Sequence, residues 1–247
     1  MPKQLKRGDL KRIDEAVQYF VANRHLFDGF ALALMNYFQG SPKLSGYIHF
    51  IKYRLKEHEH LRKKLIRKAE QGEVIDKDNL FAKINDLAGI RIIHLHTTQV
   101  PAIHAAILSI LQEQQLKLVE KPRANCWDVE YDGVYKEFGI ATRSRSSMYT
   151  TVHYVIRANQ RAKVSCEVQV RTLMDEVWGE VSHRINYPDE SPIQSCQSQL
   201  KVLARLTTGC TRLVDSIFEA HNAEIARKLS KLPRPTPLLR RGRAVSE

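Results

Sequence analysis

The stretch Cys166-Glu167-Val168-Gln169-Val170-Arg171 decides the fold of this 247-residue chain. Polar and apolar residues alternate along it, so a β-strand would place Glu167, Gln169 and Arg171 on one face. Val168 and Val170 would then point to the opposite face. A carboxylate, an amide and a guanidinium on one face of a sheet predict a polar site rather than a core.

A second carboxylate, Asp86, stands just before another strand pattern, Ile90-Arg91-Ile92-Ile93. Two carboxylates at the ends of neighbouring strands commonly hold one Mg²⁺, which prefers oxygen ligands and the phosphates of a nucleotide. The spacing alone favours a simpler interpretation, a surface salt bridge on an edge strand, because carboxylates near arginines are frequent. The residues by themselves therefore leave both interpretations open.

Composition narrows the class of protein. The chain is 43% hydrophobic and 27% charged, which is typical of a globular protein, and its formal net charge is +12. Such a charge favours polyanionic ligands: nucleotides, nucleic acid or a membrane surface. A basic surface without any partner is the alternative.

Localisation is predicted from what the sequence lacks. The N-terminus has no apolar run typical of a signal peptide, and no segment has the length needed to span a bilayer. The four cysteines show no metal-binding spacing and are expected to be free thiols in a reducing compartment. We therefore expect a cytoplasmic protein.

The hydrophobic periodicity predicts an α/β (α+β) fold, with a mixed sheet of about five strands flanked by helices. Helices are expected over 9–37, 100–114, 173–185 and 197–232, and one long basic helix over 47–71. Strands are expected over 89–96 and 117–120, with a hairpin formed by 149–157 and 162–170. The segment 121–147 has no clear pattern.

Four units follow from this pattern. They are an N-terminal helical segment (1–45), a core (46–190), a C-terminal helical segment (191–232) and a disordered basic tail (233–247). The two helical segments can pack on the core or build an oligomer, and the sequence does not decide between these.

Four segments, in order, give the chain a family resemblance. They are Tyr53-Arg54-Leu55-Lys56 with Lys64, Asp86-Leu87-Ala88-Gly89-Ile90-Arg91, Tyr149-Thr150-Thr151-Val152-His153, and Glu167 to Thr172 with Trp178 and His183. With these residues the chain resembles the RelA/SpoT-type nucleotidyltransferase domain, in the form of a small, single-domain alarmone synthetase. The resemblance covers roughly residues 46–188.

The resemblance implies a role for each matching residue. Asp86 and Glu167 would be catalytic and hold Mg²⁺, and Glu167 would be a base, a metal ligand or both. Arg54 and Arg91 would sandwich the adenine of ATP. The other implied contacts are Lys56 and Lys64 with the ATP phosphates, Tyr149 and His153 with the acceptor nucleotide, and Gln169, Arg171 and His183 in support.

The implied activity is that of an ATP:nucleotide 3′-pyrophosphotransferase, a GTP/GDP pyrophosphokinase that makes (p)ppGpp and AMP. The chain contains no His-Asp dipeptide, so the hydrolase domain of long family members is expected to be absent. A homo-oligomer is expected, with no membrane partner.

One departure from the family pattern keeps other acceptors open. Met148 stands where the family usually has a glycine-containing turn, and a methionine does not adopt a positive φ cheaply. An alternative is therefore a toxin-like pyrophosphokinase acting on adenosine nucleotides or the 3′ end of tRNA, which the basic surface would suit. A second alternative is a non-catalytic nucleotide- or RNA-binding module.

Overall fold

The computed structural model describes residues 4–144, 148–159, 161, 163–186 and 190–231. The strands of the described part are β1 (Phe50–Leu55), β2 (Ala88–His94), β3 (Lys117–Leu118), β4 (Arg123–Cys126), β5 (Ala141–Ser144), β6 (Thr151–Arg157) and β7 (Ser165–Thr172). Its helices are α1 (Arg7–Ala22), α2 (Arg24–Gly40), α3 (Pro42–Ser45), α4 (His58–Glu70), α5 (Leu80–Lys83), α6 (Val100–Glu113), α7 (Val129–Glu137), α8 (Leu173–Asn186) and α9 (Gln194–Ser230).

The strands form one mixed sheet in the order β1-β2-β7-β6-β4-β5, with β3 also paired to β6. β2 runs parallel to β7 and β4 parallel to β5, whereas the other pairs are antiparallel. The predicted fold class, a mixed sheet flanked by helices, is confirmed. The expected number of strands was too low, because the described residues already form a sheet of seven strands.

The long basic helix expected over 47–71 is wrong in its first half. Residues 50–55 form β1, which pairs antiparallel with β2, and only α4 is helical. Apolar Ile51, Tyr53 and Leu55 alternate with Lys52 and Arg54, which is the period of a half-buried strand. The density of basic residues across the whole segment hid this alternation.

The unclear segment 121–147 contributes β4, α7 and β5 as far as it is described. β4 and β5 have four residues each, and strands this short carry too few residues for a period to emerge. The predictions of β2, α6, β3, the β6–β7 hairpin, α8 and α9 are confirmed to within a few residues. The predicted tail, 233–247, lies outside the described residues.

Of the N-terminal helices, α2 packs on β1, β2 and β7, and α1 packs on α4 and α2. Phe20 of α1 and Phe27 and Leu34 of α2 are buried in the same hydrophobic core as Ile90 and Ile92 of β2. This core fills the sheet face opposite to Glu167. The described part of the N-terminal segment, residues 4–45, is thus part of the body of the fold, and the boundaries of the four units remain a prediction.

The C-terminal helix α9 runs along α8 and buries one side. Trp178 of α8 donates its indole N–H to the backbone oxygen of Leu200 at 3.1 Å. Asp215 accepts the backbone N–H of Thr97 at 2.6 Å and the hydroxyl of Tyr131 at 2.9 Å. These contacts fix α9 across the edge of the site-bearing face.

Among the helices described, not one has both the length and the apolar character needed to cross a bilayer.

Candidate active site

Strand register collects the polar residues on one face of the sheet. Gly89 of β2 lies opposite Arg54 on one side and Glu167 on the other. Because Gly89 has no side chain, space remains above it between the guanidinium and the carboxylate. Two residues further along the strand, Arg91 lies opposite Lys52 and Gln169, and Gln169 lies opposite His153 of β6.

Asp86 lies at the entrance to β2 between two lysines. Its carboxylate accepts Lys56 Nζ at 2.9 Å and Lys64 Nζ at 2.8 Å. Burial would raise the pKa of Asp86, but the charges and hydrogen bonds of the two lysines together outweigh it and lower the pKa to about 2. Asp86 is therefore an anion at every physiological pH.

Glu167 is bound by its neighbours on the same face. Its Oε1 lies 2.9 Å from His153 Nδ1, and its Oε2 accepts Gln169 Nε2 at 2.7 Å. Burial raises the pKa of Glu167 and the charge of Asp86 adds to this, but the contacts with His153 and Gln169 together outweigh both and lower the pKa. The buried Nε2 of His153 has no hydrogen-bond partner within the described chain, which leaves it available to a ligand.

Tyr149 provides an aromatic surface beside these groups. Its hydroxyl donates to Gln169 Oε1 at 3.1 Å, and its ring centroid lies 6.1 Å from that of His153 and 6.3 Å from that of Trp178. The guanidinium of Arg171 lies 5.8 Å from the same ring. Tyr149 is thus held by a hydrogen bond and by rings on two sides.

Met148 adopts a positive φ, the conformation that we expected to be costly for a methionine. Met148 has φ 53°, the left-handed conformation that a glycine would adopt more cheaply. The strain of such a backbone for a residue with a Cβ is about 1–2 kcal/mol. The turn before Tyr149 therefore keeps a positive φ despite the missing glycine.

A buried carboxylate on α8, Glu176, was missed from the sequence. It accepts Lys52 at 2.7 Å and Arg91 at 3.1 Å, and it also pairs with Arg171. Glu180, one turn further along α8, contacts Arg91 as well. The spacing of four residues between Glu176 and Glu180 places both on one face of a helix that follows β7. The same spacing is equally typical of a solvated helix face, so the sequence did not distinguish the two.

This network separates the predicted residues into two groups. Arg54, Asp86, Arg91, Glu167 and Gln169 line one small pocket, together with Gly89 and the unpredicted Lys52. Arg171 is only 2% exposed, is paired with Glu176 of α8 and does not line the pocket. Burial, followed by the charges of Arg54 and Arg91, lowers the pKa of His183.

The residues present fit a magnesium ion. Asp86 and Glu167 reach one pocket as ionised carboxylates, and oxygen ligands are those that Mg²⁺ prefers. In the described ranges, no group of three or more His, Cys, Asp or Glu is arranged to hold a metal. Mg²⁺ characteristically takes one or two carboxylates and completes its shell with substrate phosphates and water, so two are sufficient.

Comparison with solved structures defines the class of fold. The small alarmone synthetase 1 of Bacillus subtilis, in the structure bound to its product pppGpp, matches with a TM-score of 0.56 and 17% identity over 82% of this chain and 96% of that one. A GTP pyrophosphokinase family protein of Streptococcus pneumoniae matches with a TM-score of 0.52 and 17% identity over 93% and 100%. The fold is thus that of the alarmone synthetases.

The family follows from the sequence. The profile described as the region found in RelA / SpoT proteins matches residues 53–192, more than half of the chain, and the chain belongs to this family. No curated protein matches the full sequence. Membership and fold together support a pyrophosphotransferase that uses ATP as the pyrophosphate donor and a nucleotide as the acceptor.

The close approach of α8 to Arg171 yields a first prediction. A Cβ added at Gly179 would lie 2.5 Å from Arg171 Nη1, so Gly179→Ala must displace a buried, ion-paired guanidinium. We expect a loss of about 1–3 kcal/mol in the free energy of unfolding, measured by urea denaturation. Gly29→Ala in α2, where a Cβ meets nothing within 4 Å, is the control and should be neutral or slightly stabilising. Equal stability of the two variants would contradict the packing described here.

The lysine pair around Asp86 yields a second prediction. The pKa of Asp86 is about 2, below its ordinary value, so its contribution to stability is complete above about pH 4 and is lost as the pH falls through about 2. Lys64→Met should raise the pKa, read as the midpoint of the Asp86 carboxyl carbon signal in an NMR titration. Lys68, on the same helix as Lys64, is paired with Glu73 instead. Lys68→Met should therefore leave the midpoint of Asp86 unchanged. A midpoint insensitive to Lys64 would refute the assignment.

Proposed function

We propose that this protein is a Mg²⁺-dependent ATP:nucleotide 3′-pyrophosphotransferase whose acceptor is GTP or GDP. Its products are AMP and the pentaphosphate or tetraphosphate alarmone. The observation that carries the proposal is the meeting of two ionised carboxylates, Asp86 and Glu167, with two arginines in one pocket beside Tyr149. The bound pppGpp of the B. subtilis relative, and the AMPCPP in another structure of it (TM-score 0.51, 15% identity, 83% and 97% covered), support these reactants.

The donor would bind on the β1–β2 side of the pocket. Lys56 and Lys64 are held by Asp86 and can turn towards the phosphates of ATP, which carry several negative charges. Arg54 and Arg91 line the same pocket and are assigned to the adenine. Glu176 and Glu180 fix the Arg91 guanidinium, so its position does not depend on the ligand.

The acceptor would bind on the β6–β7 side. Tyr149 stacks on the guanine, and the unpartnered Nε2 of His153 contacts the acceptor or its phosphates. The 3′-oxygen of the acceptor attacks the β-phosphorus of ATP, the bond from that phosphorus to the α–β bridging oxygen breaks, and AMP leaves. Glu167, kept ionised by His153 and Gln169, accepts the proton of the attacking hydroxyl.

A bound Mg²⁺ would neutralise charge on the ATP phosphates, which carries much of the catalysis in phosphoryl-type transfer. Asp86 and Glu167 would hold it. Gln169, Arg171 and His183 support these groups, Arg171 through its buried pair with Glu176.

The proposal places the protein in the cytoplasm, because its four free cysteines are consistent with a reducing compartment. The proposed activity is synthesis alone, without alarmone hydrolysis.

The decisive experiment is a radiolabel transfer assay with γ-labelled ATP and Mg²⁺. GDP, GTP, ADP, ATP and deacylated tRNA are offered in parallel. We expect label on GDP or GTP, and a loss of about 10²- to 10⁴-fold in Glu167→Gln, because the amide neither accepts the proton nor binds the metal well. Glu219→Gln, an exposed residue of α9, is the control that should retain the full rate.

Each other outcome of the assay rejects the proposal in a specific way. Label found only on an adenosine nucleotide or on tRNA would indicate the toxin-like enzyme, which the net charge of +12 favours and the positive φ of Met148 disfavours. ATP that binds without any transfer, and independently of Mg²⁺, would indicate a non-catalytic binding module.

We further propose that the protein is a homo-oligomer. Val202, Leu206, Leu213 and Ile217 of α9 are each more than half exposed and lie along one stripe of the helix. Leu213→Glu should reduce the sedimentation coefficient towards that of a monomer, because a charge would be buried against a partner copy. Asn36→Glu, an exposed position of α2, should not. A wild-type protein that sediments as a monomer would reject the idea.

A further inference from the structure

A second cavity opens where β6 turns towards β7, at the end of the sheet, and we call it the hairpin groove. Its volume is about 560 Å³, within the range of small-molecule sites. Its walls come from α1, from the segment 77–85, and from the ends of β6 and β7. The hairpin groove and the catalytic pocket share no lining residue.

The hairpin groove is strongly basic. Four cationic residues line it, against a single acidic one, Asp78; the cations are Lys77, Arg157, Arg161 and Lys163. No salt bridge between these four side chains and an acidic side chain occurs in the described part of the chain, whereas Lys56, Lys64 and Arg91 of the catalytic site are all paired. An unneutralised cluster of this kind attracts a polyanion.

The floor of the hairpin groove lacks hydrogen-bond partners. Ser165, 4% exposed, lies opposite Arg157 in the β6–β7 register. Ser165 Oγ and Arg157 Nε are both buried without a partner in the described structure. Buried polar groups rarely remain unsatisfied, because desolvation without a new hydrogen bond is costly. Phosphate oxygens are acceptors that would satisfy both donors at once.

The wall opposite this floor is aromatic. Tyr19 of α1 is 36% exposed and stacks on the buried ring of Phe81, with centroids 5.1 Å apart and an angle of 27° between the rings. The stacking on the buried ring orders Tyr19, which lines the hairpin groove, so a base that stacks on it would cost little further side-chain entropy. Such a platform accepts any nucleobase, since every base has a π-face.

We propose that the hairpin groove is a second nucleotide-binding site, distinct from the sites of the two reactants. Arg157, Lys163 and Ser165 bind the phosphates, and Tyr19 stacks on the base. The occupant is a free mononucleotide rather than an RNA strand, because the four cations line one cavity of small-molecule volume. The site is close to catalysis: Ser165 lies two residues before Glu167 on the same face of β7, and Asn85 of the hairpin groove precedes Asp86.

The test is equilibrium dialysis of the full chain against labelled ATP, ADP, GDP and GTP, in a Glu167→Gln background that suppresses turnover. At least one nucleotide should bind to a second site, seen as an additional molar equivalent bound per chain. This second equivalent should persist in Lys64→Gln, which weakens the catalytic site. Lys163→Gln and Tyr19→Leu, both at exposed positions, should each weaken that equivalent about five- to tenfold. Lys201→Gln, which removes the same charge from α9, should have no effect.

Three results would overturn the proposal. The first is nucleotide binding that Lys163→Gln and Tyr19→Leu leave unchanged. The second is an equivalent that depends on Lys163 but not on Tyr19, which would indicate a site for phosphate alone. The third is a single-stranded RNA oligonucleotide that binds through Lys163 when no mononucleotide does. Loss of catalytic binding in Lys64→Gln, with the second equivalent intact, would separate failure of the proposed transferase from failure of this inference.

Discussion

The parallel pairing of β2 with β7 is the constraint on which the site depends. It sets Gly89 beside Glu167 and Arg91 beside Gln169, although about 80 residues separate the two strands in the chain. A register shift of one residue would send Glu167 into the core and a valine into the pocket. The apolar partners prevent this, because Ile90, Ile92, Val168 and Val170 are all buried on the opposite face. Burial of one face thus fixes the chemistry of the other.

How far the sequence predicts this arrangement depends on the range of each interaction. The strand carrying Glu167 and the helix α6 follow from local periodicity, which needs no knowledge of the partner. β1 was lost because a high density of basic residues masked its period of two, although Ile51, Tyr53 and Leu55 carry that period. The sheet order could not be derived from the residues, since it depends on packing between distant segments.

The candidate site shows the same division. Residue types and motifs pointed to Asp86 and Glu167, and the fold brings both to one pocket. Glu176 was missed because an acidic residue on a helix is usually solvated, and only tertiary packing reveals that this one is buried against Lys52, Arg91 and Arg171. The effect of Met148 on the acceptor stays a prediction: its backbone has the positive φ that a glycine would adopt more cheaply, at the cost expected for a methionine.

Charge pairing gives the two cavities different characters. Around the catalytic pocket Lys56, Lys64 and Arg91 have carboxylate partners, although the two lysines share Asp86, so an incoming phosphate must replace an existing contact of these cations. Exchanging one ion pair for another changes the free energy of binding little. The existing pair with Asp86, however, orders the two lysines before the ligand arrives. The hairpin groove has no such internal partners among its described residues, and its cations keep their full attraction for an anion. The net charge of +12 is therefore distributed unevenly, with an excess of cations over carboxylates at the hairpin groove.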